Sequence, residues 1–69
     1  MVSVYKTDIE GPGAAAFLLS QLQQSFPGRR INIDLHDCDR VLRIEGEAVS
    51  QPELEFIAHA LGFRCTELS

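Results

Sequence analysis

The chain has 69 residues, which limits it to one small core and to marginal stability on its own. Hydrophobic residues make up 45% and charged residues 23%, an ordinary globular mixture that argues against disorder. The net charge of −4, from ten acidic and six basic side chains, argues against nucleic acid and anionic membranes as partners, since both are gripped by surplus Lys and Arg.

Met1 leads directly into strand-like residues, without the basic segment and apolar run of a secretory leader. No apolar stretch reaches membrane-spanning length. Two cysteines do not make a disulfide scaffold. The expectation is a complete, soluble, cytoplasmic protein forming a single domain over residues 1–69.

Val2-Ser3-Val4-Tyr5-Lys6-Thr7 is β-branched, aromatic and alternating, the mark of a strand. Glu10-Gly11-Pro12-Gly13 is a turn cluster, and proline suits a first helical turn. From Ala14 the period lengthens: Ala15, Leu18, Leu19, Leu22 and Phe26 form one helical face, ended by Pro27-Gly28. Ile31, Ile33 and Leu35 alternate with Asn32, Asp34 and His36, and Leu42 and Ile44 alternate with Val41, Arg43 and Glu45. These are two half-buried strands joined through His36-Asp37-Cys38-Asp39-Arg40.

Ser50-Gln51-Pro52-Glu53 is a capping box opening a second helix with Leu54, Ile57, Ala58 and Leu61 on one face. Gly62 fits the residue just past its end. Phe63 to Leu68 reads as the last strand, with Cys65 pointing to the core. The order βαββαβ implies a ferredoxin-like α/β (α+β) sandwich: an antiparallel four-stranded sheet with both helices on one face. The other face stays polar, with Asn32, Asp34, His36, Arg43 and Glu45.

Four stretches carry a resemblance: Leu22 to Gly28, Ile31-Asn32-Ile33-Asp34-Leu35, Arg43-Ile44-Glu45-Gly46, and Pro52-Glu53-Leu54 through Gly62-Phe63. In order and spacing they resemble the heavy-metal-associated domain family, which includes copper chaperones and the amino-terminal domains of copper-transporting ATPases. The resemblance covers nearly the whole chain. It implies a Met-x-Cys-x-x-Cys motif at the start of the first helix. Counting back from Pro27, its two ligand positions fall on Pro12 and Ala15, or on Gly11 and Ala14 with one further helical residue. Neither choice supplies the thiolates that Cu(I) requires. The family's metal transfer is therefore not expected in this loop.

The strand order of such a sandwich brings the β1–α1 loop, the β2–β3 hairpin and the α2–β4 turn to one end. Cys38 thus falls at the family's metal-binding end, in a different loop. His36 and Asp37 beside it would suit Zn or Ni better than Cu. The alternative for the same residues is a solvated acidic turn. Cys38 and Cys65 belong to opposite sides of the sheet, too far apart to bridge. His59 falls on the wet face of the second helix. Ile9 and Phe63 flank the emptied loop, either as a contact patch for a partner or as a lid on the core.

No nucleophile–base pair, paired-carboxylate cleft or phosphate loop is present, so the chain does not read as an enzyme. The expectation is a small non-enzymatic interaction module without a cofactor, binding another protein or a second copy through the sheet face. One rival is a Zn, Ni or Cu site at Cys38, His36 and Asp37. Another is a small-ligand regulatory module of the amino-acid-sensing type, which shares the βαββαβ order.

Overall fold

In the computed structural model, which describes residues 1–68, the elements run β1 (Val2–Thr7), α1 (Gly11–Ser25), β2 (Arg30–Asp34), β3 (Val41–Glu45), α2 (Gln51–Ala60) and β4 (Cys65–Glu67). The strands form one antiparallel sheet in the order β2-β3-β1-β4. This is the ferredoxin-like arrangement that the βαββαβ pattern implies.

Both helices lay their apolar stripes on the same face of the sheet. Ala15, Leu18 and Leu22 of α1 and Leu54 and Ala58 of α2 join Tyr5, Ile31, Leu42, Ile44 and Cys65 in one core cluster. The helix ends follow local chemistry. Ser50 Oγ accepts from the Glu53 N–H at 3.5 Å, one arm of the capping box. Past α2, Gly62 takes φ +93°, its N–H donates to His59 C=O at 3.0 Å, and the Phe63 N–H donates to Ala58 C=O at 2.9 Å. That pair of bonds is a Schellman motif, reached through a left-handed residue that glycine adopts without strain.

β4 is shorter than the alternation of residues 63–68 suggests. Phe63 is used to close α2, and the Arg64 N–H donates to the Asp8 carboxylate at 2.7 Å instead of to a strand. Only Cys65–Glu67 is left for the ladder with β1.

Tyr5 and Thr7 are buried in the core face, while Val2 and Val4 turn to the open face of the sheet. Tyr5 sits opposite Leu42 and Glu67, and Thr7 opposite Cys65. Thr7 is a polar residue in the core, but its hydroxyl donates to Arg40 C=O at 2.6 Å and accepts from the Ile9 N–H at 3.4 Å. The core thus gains a pinned threonine without an unpaired hydroxyl.

Candidate functional site

The β1–α1 loop, the β2–β3 hairpin and the lead-in to β4 do meet at one end of the sheet. The Thr7 N–H donates to Asp39 C=O at 3.0 Å. The Arg40 side chain reaches under both loops, with Nε donating to Ile9 C=O at 3.1 Å and Nη1 to Leu35 C=O at 3.0 Å. Arg40 itself holds φ +49°, the left-handed region that a side chain seldom adopts. Asp8 ties the other flank through Arg64.

α1 begins at Gly11, with φ +84° and Pro12 in the first turn, and no side chain caps it. Gly11, Pro12, Ala14 and Ala15 therefore form a loop and helix start that offer only backbone and methyl groups.

The hairpin is built from local carboxylate bonds. Asp34 Oδ1 accepts from the His36 N–H at 2.9 Å, and Asp37 Oδ1 accepts from the Asp39 N–H at 2.8 Å. These are Asx turns, the local role such residues serve in connections. Cys38 stands exposed at the tip. Asp37, Cys38 and Asp39 bring ligand atoms within 4.8 Å of one another, whereas His36 lies outside that group.

Ile9 is 0% exposed and offers no surface to a partner, which corrects the contact alternative and leaves the lid. Its side chain fills the end of the core, and Arg40 holds its carbonyl. Phe63 is half-buried and packs on the same core. His59 is exposed on α2.

Cys65 is buried, and that burial, aided by the Glu55 carboxylate, pushes its thiol up to about 12. Burial likewise raises the Tyr5 phenol above 10.0, with Glu67 and Glu55 adding to it. Glu67 stands opposite Tyr5 on β4, and Glu55 faces β4 from α2. An open groove of about 440 Å³ runs between α2 and β4, and its lining includes Glu55, Phe56, His59, Phe63, Arg64 and Cys65. Phe56 is 75% exposed on its rim.

Sequence reasoning missed this groove and the part played by Arg40. The available signal for the groove was Phe56, an aromatic out of phase with Leu54, Ile57, Ala58 and Leu61. For Arg40 no local signal exists, because its Ile9 contact spans 31 positions.

Comparison with family models, with curated proteins and with solved structures finds no match to this chain. The resemblance to the heavy-metal-associated family rests on the residue pattern alone. Among the described residues no helix is long and apolar enough to cross a membrane.

Proposed function

We propose that this chain is a small non-enzymatic binding module, built on the scaffold of the metal-chaperone-like family but without that family's thiolate site. The observation that carries the reading is how the chelating end of the scaffold is used. The loop that would grip a soft metal is fastened by Arg40 to the Ile9 and Leu35 carbonyls, by Thr7 to the hairpin and by Asp8 to Arg64. Thr7, Asp8 and Arg40 all bond backbone, and the residues at the ligand positions are Gly11, Pro12, Ala14 and Ala15. A site of this kind holds shape and has no donor for Cu(I). Unpaired Cys38 and Cys65 suit a reducing compartment, and we assign the protein to the cytoplasm.

Competition for Cu(I) against a chelator tests the reading. No transfer is expected. Tight Cu(I) uptake that survives both Cys38→Ser and Cys65→Ser would overturn it, because the metal would then sit in the loop.

A second reading, a borderline metal at the hairpin, is favoured by the grouping of Asp37, Cys38 and Asp39 within 4.8 Å. It is the weaker one, since Asp37 already holds the Asp39 N–H and His36 is not in reach. Micromolar Zn that slows Cys38 alkylation, with the effect lost in Asp37→Ala, would establish it.

A further inference from the structure

β4 is an edge strand, with β1 on one side and, among the described residues, no strand on the other. The direction of its unpaired groups follows from the register. The Leu68 N–H donates to Val4 C=O at 2.8 Å, while Tyr5 lies opposite Glu67 and Thr7 opposite Cys65. In an antiparallel ladder, bonded and non-bonded pairs alternate. Thr66 and Leu68 therefore bond to β1, and Cys65 and Glu67 turn their N–H and C=O groups outward. Beside that open row lies the groove against α2, with Phe56 and Phe63 on its walls and Cys65 at its floor.

We propose that this edge is a docking site for an extended protein segment that adds as a fifth strand and carries an apolar residue and a basic residue two positions apart. Main-chain pairing to Cys65 and Glu67 would hold the segment, and alternate side chains would enter the groove, as in other strand-addition complexes. The two groove-side positions of β4 differ. A residue opposite Cys65 meets the apolar wall of Phe56 and Phe63. A residue opposite Glu67, which shares the Cys65 face of β4, meets that carboxylate, and Glu55 lines the groove beside Cys65. The first position suits an aliphatic side chain and the second Lys or Arg.

Charge also decides against the obvious alternative, a second copy pairing β4 to β4. That arrangement would join two copies of a protein of net charge −4 along an edge that carries Glu55 and Glu67 in each, and self-repulsion of that kind keeps copies apart. A basic segment is attracted by the same field.

The inference rests on the binding-module reading and is tested apart from it. The probes are a threonine-rich peptide with valine and lysine two positions apart, and its counterpart with glutamate in place of lysine. Binding is followed by backbone amide shifts. The lysine peptide is expected to bind with shifts at Cys65 and Glu67, and at least about tenfold more tightly than the glutamate peptide. Phe56→Ala, an exposed change that leaves the core intact, should weaken binding by about tenfold. Glu67→Lys should reverse the preference toward the glutamate peptide.

Failure of the lysine peptide to bind at millimolar concentration overturns the proposal. So does equal binding of the two peptides, or self-association of the protein through β4. Shifts confined to Val4 and Arg43 on the open sheet face would sink the β4 assignment and leave the module reading standing. Cu(I) uptake by the β1–α1 loop would sink the module reading itself.

Discussion

The guanidinium of Arg40 donates to the carbonyl of Ile9, 3.1 Å away and 31 positions earlier in the chain. With its second bond to Leu35 it staples the hairpin to the β1–α1 loop. Arg29 does similar work at the other end of the sheet. It donates to Glu47 C=O at 3.2 Å and to Ala48 C=O at 3.5 Å, and lies 5.8 Å from the centre of the Phe26 ring. Two of the six basic residues thus hold backbone at opposite ends of the molecule.

Replacing Arg40 should be costly. Arg40→Ala leaves two part-buried carbonyls without a donor, a loss of roughly 1–3 kcal/mol. In a domain of this size each kcal/mol lowers Tm by ~4–8 °C. Arg40→Lys should recover little, because one ammonium cannot span both carbonyls as the fork does. Thermal unfolding of the two variants measures this, and a lysine variant as stable as the parent would contradict the staple.

Cys65 sets the alkaline limit of stability. Its thiol is raised from 9.0 to about 12 in the folded protein, first by burial and then by Glu55. The folded state therefore keeps the proton that the unfolded chain releases. The contribution is complete below pH 9.0 and is lost as pH rises toward about 12. The slope over that window is at most roughly 1.4 kcal/mol per pH unit. Tyr5 acts in the same direction at still higher pH. Denaturant unfolding of Cys65→Ala should show a flatter alkaline limb than the parent.

The two thiols should also differ in reaction rate. Cys38 is exposed and Cys65 buried, so a thiol reagent should label Cys38 at once and Cys65 only as the protein opens. Equal rates at neutral pH would show that β4 does not hold Cys65 in the core.

Two glycines separate backbone strain from crowding. At Gly62 an added Cβ meets nothing within 4 Å, so Gly62→Ala should cost only the left-handed conformation, roughly 1–2 kcal/mol. At Gly46, with φ +123°, the added Cβ would lie 3.3 Å from Cγ of Arg29. Gly46→Ala should cost more than Gly62→Ala, since it also displaces Arg29 from the Glu47 and Ala48 carbonyls. Urea midpoints of the pair give the order.

Much of the fold was legible because its signals are local. Leu18 and Leu22 mark the α1 stripe, Leu54 and Ala58 that of α2, and Ser50 and Gly62 the bounds of the second helix. What stayed hidden depends on pairs distant in sequence. Ile9 reads equally as a partner contact and as a lid on the core, and only its enclosure by Arg40 and the core decides for the lid. The α2–β4 groove exists only once α2 has been laid beside an edge strand that its own connection shortens. The lack of a thiolate in the β1–α1 loop was legible for the opposite reason: it is a fact of composition, whatever the fold.

β1 presents Tyr5 and Thr7 to the core and its valines to the open face. Val2 and Val4 are β-branched and apolar, and a strand slipped by one residue would carry both into the core. The first half of β1 therefore favours a wrong pairing, and only the second half rejects it. A slip would bury Lys6 and detach the Thr7 hydroxyl from Arg40. Correct registration of the central strand thus depends on one lysine and one threonine and hardly at all on its valines. Lys6→Val should remove the charge that forbids the slip. The expected molecule gives doubled amide resonances along β1 and β3, with a slow refolding phase as mispaired chains reopen. A single clean spectrum for that variant would show that Tyr5 alone selects the register.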